Sequence, residues 1–283
     1  MGAGRRLAAL AGAAALVGMA VAHAPWASAR PVLGHGSFVH PVGAVDSGAL
    51  KVAAPTMTSN NWFGYDQGSI ARGGVTFHSI SAQWTVPRAS AHQAGQAEYS
   101  ATWIGIGGGC IDSGCTSTDS TLIQAGTEQD INTGGSSYYA WWETIPGPSV
   151  GLFPVSPGDH MYVSIAEGAP EVWAITVADL TNGQHQTLSV PYSSSYLTAE
   201  WIEETPVVLG GSSTGLAPLP NLTTVNLDHA TVNGRGAGLA STQRMELVNL
   251  SGAPIATPSN PDASADGFNA CTWSTSCPTP KGS

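Results

Sequence analysis

The stretch Val172-Trp173-Ala174-Ile175-Thr176-Val177, followed closely by Asn182-Gly183, decides the fold class of this chain. Its β-branched and aromatic residues favour a strand, and Asn-Gly after such a run is a strong signal for a hairpin turn. The runs 74–80 and 161–165 have the same character. Turns rich in Gly, Ser, Pro and Asn separate these runs, and 35 glycines and 19 prolines supply them.

This β pattern begins at about Ser59, and no convincing amphipathic helix follows it. We therefore predict an all-β fold, a single-domain antiparallel β-sandwich of two sheets of the concanavalin-like or jelly-roll type. The tail after about Ala256 is rich in Pro, Ser and Asn, and we expect a loop there that the second cysteine pair pins.

The N-terminal region has the features of an export signal. Arg5 and Arg6 precede an apolar run over 7–21, and Ala27-Ser28-Ala29 fits a cleavage site. We predict a signal peptide over 1–29, a propeptide or disordered leader over 30–57, and a catalytic domain over 58–283. The protein is thus expected to be secreted, and no later run is long enough to span a membrane.

The charge balance narrows the possible partners. Removal of residues 1–29 leaves seven basic residues against 19 acidic ones, so the remaining chain carries 7 − 19 = −12. Nucleic acids and anionic membranes attract basic surfaces, so neither is an expected partner. Only 10% of the residues are charged, which is consistent with a fold that works in acid.

The four cysteines form two close pairs, Cys110/Cys115 and Cys271/Cys277, which in an exported protein predicts two local disulfides. No HExxH, GxSxG or P-loop motif is present, and the spacing of His78, His160 and His229 does not suggest a catalytic triad. We expect no metal and no cofactor.

Two motifs in the β region carry groups that could do chemistry: 122–126, which contains Gln124, and 199–204. On a strand, Glu200 and Glu204 share one face and Glu203 lies on the other. An amide can donate to an oxyanion and a carboxylate can take a proton from water. Periodicity leaves Glu200 and Glu204 open as the reactive group, and a surface strand with three solvated glutamates fits the composition as well.

The order of these motifs resembles the glutamic peptidase (eqolisin) family. Seven segments are similar to family motifs in consistent order: 59–64, 82–87, 102–108, 122–126, 138–146, 179–184 and 199–204. The resemblance implies that Gln124 and Glu204 are the catalytic pair. It also implies that the substrate-binding residues are Trp103, Glu143, Tyr139, Trp142 and Glu128.

Some positions depart from the family pattern. Gly107 and Tyr139 stand where the family has aspartates, Ile145 where it has a tyrosine, and Glu128 where an aspartate follows the glutamine motif. These changes touch the expected substrate-binding region, so they bear on substrate preference and on the pH profile rather than on the catalytic pair.

The resemblance implies an acid endopeptidase that acts on proteins or peptides, and we expect it to be a monomer. A glutamate base with a near-normal pKa of about 4.3 explains an acidic optimum. Two alternatives stay open. One is a carbohydrate-active β-sandwich enzyme that uses Glu143 and Glu204 as its two carboxylates. The other is a non-catalytic carbohydrate-binding module.

Overall fold

The hairpin predicted from Asn182-Gly183 is present. Strand Val172–Asp179 pairs antiparallel with strand His185–Pro191 across a turn in which Gly183 adopts a φ of 79°. The Asn182 side chain donates to Asp179 at 2.6 Å and accepts the N–H of Gln184 at 2.8 Å. Asparagine thus closes the turn with its side chain while glycine supplies the left-handed backbone.

The computed structural model describes Met1, the backbone of residues 37–39, and residues 57–209 and 215–281. Two short 3-10 turns span Ile70–Arg72 and Ser241–Gln243. The strands, in chain order, are β1 (Ser37–Val39), β2 (Met57–Ser59), β3 (Trp62–Gly68), β4 (Ser79–Thr85), β5 (Ala89–Ser90), β6 (Glu98–Ile106), β7 (Ile123–Asn132), β8 (Gly135–Thr144), β9 (Val150–Pro154), β10 (His160–Ala169), β11 (Val172–Asp179), β12 (His185–Pro191), β13 (Thr198–Glu204), β14 (Val207–Leu209), β15 (Gly215–Leu216), β16 (Asn221–Leu222), β17 (Val225–Val232), β18 (Arg235–Gly236), β19 (Arg244–Val248), β20 (Pro254–Pro258) and β21 (Phe268–Thr272).

One large sheet carries most of these strands, in the order β12-β11-β10-β4-β17-β21-β20-β19-β3-β13-β6-β7-β8-β9. The sheet folds back on itself, because β4 and β10 also pack against β6 and β7. It therefore forms two facing layers, which confirms the predicted all-β sandwich. The described residues contain no α-helix, and none of their helical turns has the length and apolar character needed to cross a membrane.

The main core lies between the two layers. It takes Trp84, Val163 and Trp173 from one layer and Ile104 and Trp201 from the other, all at most 1% exposed. Each comes from a strand whose alternate residues point inward, which is the period-2 pattern visible in the sequence. The opposite face of β3, β13, β6, β7 and β8 carries a second, smaller buried cluster.

The expectation of a loop-rich tail after Ala256 is wrong in part. Strands β20 and β21 lie in this region and pair with each other, and β21 also pairs with β17. Both predicted disulfides are present, with Cα–Cα distances of 4.8 Å for Cys110–Cys115 and 5.6 Å for Cys271–Cys277. Cys271 lies in β21 and Cys277 lies beyond its end, so the second disulfide ties the segment after β21 to a strand of the sheet.

The predicted signal peptide over 1–29 lies outside the described residues, apart from Met1, as does most of the segment 30–57. The backbone of β1 is the described part of that segment, together with Met57. It pairs antiparallel with β14, with Phe38 opposite Val208, and β15 pairs on the other side of β14.

Candidate functional site

Four neighbouring strands, β13, β6, β7 and β8, present a face rich in carboxyl groups on the side away from the main core. Their pairing registers, continued to β3, align side chains in three rows across the sheet. The first row is Tyr139, Glu128, Ala101, Glu204 and Trp62. The middle row is Trp141, Gly126, Trp103, Ile202 and Gly64. The third row is Glu143, Gln124, Gly105, Glu200 and Asp66.

The amide of Gln124 is held by its cross-strand partner. Gln124 Nε2 donates a hydrogen bond of 2.9 Å to Oε2 of Glu143, and both side chains are fully buried. One N–H of the amide is thereby fixed, so the orientation of the group is set. A primary amide has two N–H donors, so this side chain can donate to two acceptors at once.

The carboxyl group of Glu204 is held by an indole. Trp103 Nε1 donates a hydrogen bond of 2.6 Å to Oε2 of Glu204, and the Trp103 ring packs edge-on against Trp62 with a centroid distance of 4.9 Å. Trp103 lies in the middle row, between the rows of Gln124 and Glu204. The indole therefore orients the carboxyl group from between the two candidate catalytic residues.

Two glycines make room for the Trp103 side chain. A Cβ on Gly126 would lie 2.5 Å from Trp103 Cβ and 2.1 Å from the carbonyl oxygen of Thr102. A Cβ on Gly105 would lie 2.9 Å from the Trp103 ring. Since any side chain at these positions collides with its neighbours, the glycines of β6 and β7 keep the middle row open for one large indole.

Gln124 and Glu204 lie in the two outer rows of this face, with Trp103 in the row between them. Gln124 lies opposite Gly105 and Glu204 opposite Ala101, four residues apart along β6. On a flat sheet, the usual strand spacing and rise put their Cα atoms roughly 16 Å apart. The two residues therefore lie on opposite sides of the row that contains Trp103.

Burial raises the pKa of the carboxyl groups on this face. Desolvation, and then the charge of Asp130, hold the pKa of Glu128 well above its usual range, and burial raises that of Asp130 to about 8. Desolvation likewise raises the pKa of Glu204, against the lowering effect of the Trp103 hydrogen bond. The expectation of a near-normal pKa for Glu204 is therefore wrong in this covered arrangement, where the group holds its proton in acid.

A second carboxyl pair lies at the far end of the third row. Asp66 and Glu200 are direct cross-strand partners, and Asp66 accepts the backbone N–H of Cys110 in the disulfide loop. Burial raises the pKa of Asp66 to about 7 and that of Glu200 well above its usual range. Two such groups side by side are stable only when at least one of them carries a proton.

The strand over 199–204 separates its glutamates as the period-2 pattern predicts. Glu200 and Glu204 face the carboxyl-rich side, whereas Glu203 lies on the other side and accepts a hydrogen bond of 2.6 Å from Thr102 Oγ1. All three are fully buried, so the alternative of a solvated surface strand is wrong.

Of the residues that the family resemblance assigned, Gln124, Glu204, Trp103, Glu143, Tyr139 and Glu128 share this face. Trp142 does not. It follows Trp141 on β8, points to the opposite side and packs against the main core. Strand alternation places it on the side of the sheet opposite to Glu143, so the structure does not bring it together with the other assigned residues.

Further residues on this face were not predicted. Asp130, Asp66 and Trp62 contribute two carboxyl groups and an indole. Alternation along β7 offered a signal for Asp130, because Gln124, Glu128 and Asp130 are separated by even numbers of residues. Asp66 and Trp62 reach the site through the pairing of β3 with β13, which the sequence does not reveal.

The departure at Gly107 has a local steric cause. Gly107 adopts a φ of 98°, and a Cβ there would lie 2.0 Å from the carbonyl oxygen of Thr121. An aspartate cannot occupy this backbone without moving it. Ile145, at another departing position, packs against the cluster that contains Trp103.

The segment after Glu204 helps to cover the face. Val208 and Met57 pack against the cluster of Trp62, Trp103 and Ile202.

Within the described ranges, the side chains that converge closely enough to share a metal ion are Asp228, His229 and Asp266, and none of them belongs to this face.

Comparison with known proteins gives a consistent result. The sequence model of the peptidase A4 family matches residues 60–267. No curated protein matches the chain significantly. Among solved structures, scytalido-glutamic peptidase with a transition-state analogue inhibitor is 22% identical, with a TM-score of 0.59 over 75% of this chain and 98% of that chain.

Two further structures share the fold. SCP-B, an eqolisin in complex with the tripeptide Ala-Ile-His, is 19% identical with a TM-score of 0.53, over 75% of this chain and 98% of that chain. Aspergilloglutamic peptidase from Aspergillus niger is 22% identical with a TM-score of 0.50, over 62% of this chain and 99% of that chain. At these identities the likeness establishes the fold.

The Asp66–Glu200 pair predicts how stability depends on pH. Asp66 titrates near 3.8 when unfolded and at about 7 when folded, so between these values the folded state binds more protons. The free energy of unfolding should therefore fall as the pH rises from about 4 to about 7. Asp66→Asn should make the fall in melting temperature over this range smaller.

Asp112→Asn is the matched control for this measurement. Hydrogen bonds from Thr116 lower the pKa of this exposed carboxyl group. Its contribution to the free energy of unfolding is therefore lost only as the pH falls through that lowered pKa. The variant should keep the wild-type fall between pH 4 and pH 7. An equal fall in melting temperature between pH 4 and pH 7 in Asp66→Asn and in wild type would contradict a role of Asp66 in this pH dependence.

Proposed function

Because this chain belongs to the peptidase A4 (eqolisin) family, a family of peptidases, we propose that it is a secreted acid endopeptidase that uses Gln124 and Glu204 as its catalytic pair. One observation carries the proposal. The amide of Gln124 and the carboxyl group of Glu204 lie on the same sheet face, in the rows on either side of Trp103, and each is oriented by a buried partner. An amide donor and a carboxyl group on one face can act on the same peptide bond once that face is exposed.

In the proposed reaction, Glu204 in its ionised form takes a proton from a water molecule held between it and Gln124. The hydroxide attacks the carbonyl carbon of the peptide bond, and an N–H of the Gln124 amide stabilises the oxyanion of the tetrahedral intermediate. Glu204 then gives its proton to the leaving nitrogen, the C–N bond breaks, and the carboxylate is regenerated.

Glu143 and Trp103 act as positioning residues in this mechanism. Glu143 accepts one N–H of Gln124 and so directs the other toward the oxyanion. Trp103 fixes the carboxyl group of Glu204 and, by donating to it, favours the ionised form that a base requires. Glu128 and Tyr139 share the row of Glu204, and we propose that they contact the substrate.

Glu204 must gain access to water before it can act in acid. Burial in the present arrangement raises its pKa, and a protonated group cannot serve as a base. Removal of the cover hydrates the carboxyl group and lowers its pKa toward the ordinary value. The covered structure is therefore an inactive state, and activation includes the exposure of this face.

We propose that residues 30–57 are a propeptide that supports the cover. Strand β1 belongs to this segment and adds to the edge of β14, which begins three residues after Glu204. Val208 of β14 packs against the indole cluster of the site. Backbone pairing with β14 thus offers a way to hold the covering segment closed until the propeptide is removed.

The catalytic pair can be tested with denatured protein as substrate across acidic and neutral pH, with pepstatin present to silence aspartic peptidases. Glu204→Gln should lower the rate by at least about 100-fold, the scale of general base catalysis. Gln124→Ala should lower kcat by about 100- to 1000-fold through loss of the oxyanion donor.

Two neighbouring glutamates on β13 supply a matched control and a test of the alternative base. Glu203→Gln lies on the same strand but faces the main core, and it should retain the activity of the folded enzyme. Glu200→Gln tests the other glutamate on the site face, which lies across Gly105 from Gln124. Loss of activity in Glu200→Gln with retention in Glu204→Gln would move the base to Glu200.

The role of Trp103 predicts a change in pH profile. Trp103→Phe removes the hydrogen bond that favours the ionised form of Glu204, so the pKa of that group should rise. The acid limb of the kcat/KM profile should then move to higher pH. Trp201→Phe, which removes another buried indole donor in the main core, should leave the limb unchanged. A lower rate without any shift would assign Trp103 to packing alone.

The propeptide can be tested in trans. A peptide of residues 30–57 should inhibit enzyme that lacks this segment, and Phe38→Pro in the peptide should weaken inhibition at least about tenfold, because proline removes a backbone donor from the strand. A scrambled peptide controls for charge and composition. Equal activity with and without residues 30–57, and no inhibition by the peptide, would refute the proposal.

A further inference from the structure

Away from the proposed catalytic face, acidic side chains converge where β17 meets the segment that precedes β21. The ligand atoms of Asp228, His229 and Asp266 all lie within 4.8 Å of one another. Within the described part of the chain, none of these residues forms an ion pair with lysine or arginine. Among the described residues, no lysine or arginine therefore balances the charge of the two carboxylates.

The backbone brings these residues together from two distant parts of the sequence. The register of β17 against β4 shifts between Asp228 and Thr231, and His229 adopts a φ of 52° within this bulge. The N–H of Ala230 then donates to the carbonyl of Asp266 at 2.9 Å. The bulge thereby turns Asp228 and His229 toward the loop before β21.

A buried carboxylate points into the same place. Asp262 is only 7% exposed; its Oδ1 accepts the N–H of Asp266 at 3.2 Å, and its Oδ2 has no hydrogen-bond or ion-pair partner among the described residues. A Cβ on Gly267 would lie 2.7 Å from this Oδ2 and 2.8 Å from Asp228 Oδ1. Glycine therefore lets two carboxylates approach each other from opposite sides.

Asp266 adds another oxygen in need of a partner. Its Oδ1 is buried and makes no hydrogen bond within the described residues. An unpaired buried carboxylate oxygen is costly, and a cation can supply the missing partner. Asp228 Oδ1, by contrast, accepts the N–H of His229 at 2.8 Å. Oxygen atoms of this kind are the ligands that hard divalent cations prefer.

The sequence of the loop agrees with this chemistry. Residues 262–267 read Asp-Ala-Ser-Ala-Asp-Gly, which places oxygen-bearing side chains at alternate positions and glycine at the sixth, as in the loops that bind calcium. Position twelve of such a loop would hold a glutamate, but here it is Trp273. Asp228 and His229 from β17 instead bring their ligand atoms within 4.8 Å of Asp266 in this loop.

We propose that Asp228, Asp262 and Asp266, with His229 at the rim, form a binding site for a divalent cation, with Ca²⁺ as the favoured ion. The ion joins β17 to the C-terminal segment, so it stabilises the folded state and takes no part in peptide hydrolysis. The site does not depend on the proposed function, because none of its residues lies on the face of Gln124 and Glu204.

The test uses the purified full chain after treatment with EDTA, at neutral pH, where protons compete least for carboxylates. Calorimetric titration with Ca²⁺ should show one saturable site per chain. Calcium at about 100 times its Kd should raise the melting temperature by about 5–10 °C. Asp228→Asn and Asp262→Asn should each weaken binding at least about tenfold and reduce this rise, whereas the matched charge control Glu171→Gln should keep both.

Parallel titrations with Mn²⁺ and Zn²⁺ identify the ion. Binding of these ions that requires His229, without binding of Ca²⁺, would support the site and change its favoured ion. Absence of saturable binding of all three ions to the wild-type chain, with an unchanged melting temperature, would overturn the proposal. Since that result needs no variant, it holds even if a substituted chain fails to fold. Unaltered binding in both aspartate variants would overturn it as well.

Discussion

The removal of water from carboxyl groups is the constraint on which the carboxyl-rich face depends. Asp66, Glu128, Asp130, Glu200 and Glu204 are all at most 2% exposed, and burial is the largest cause of the raised pKa of each. The chain has nine lysines and arginines against 19 acidic residues, so few cations are available to pair with them. Protonation is the remaining way to neutralise such a face, and it is favoured in acid.

The arrangement of side chains on this face follows from strand alternation and from glycine. Alternation sends Glu200 and Glu204 to one side of β13 and Glu203 to the other, as the sequence predicts. The space between the rows of Gln124 and Glu204 then has to be filled by one large side chain. Gly105 and Gly126 allow Trp103 to fill it, and the same indole reaches Glu204 with its N–H.

Local patterns allowed much of this molecule to be predicted, and long-range pairing accounts for most of what was missed. The Asn182-Gly183 turn and the two short-range disulfides involve neighbours in sequence, so residue types are enough to predict them. The rows of the site depend instead on registers between distant strands, such as Glu200 opposite Asp66. Strands β20 and β21 were missed because proline-rich segments favour loops locally, whereas pairing of β20 with β19 and of β21 with β17 decides their structure.

The side of the sheet on which Trp142 lies follows from alternation alone, because it is the neighbour of Glu143 on β8 and so points to the opposite side. The pKa of Glu204 could not be predicted, since it depends on a cover that other segments supply.

The carboxyl pair Asp66–Glu200 and the carboxyl group of Glu204 set opposite requirements for protonation. Asp66 and Glu200 must keep a proton for stability, whereas Glu204 must lose one in the proposed mechanism. Asp66 lies under the disulfide loop at Cys110, and Glu204 lies three residues before β14. Movement of the segment that contains β14 would hydrate the row of Glu204 and leave the pair under the disulfide loop covered, so the face could remain stable in acid while the proposed base ionises.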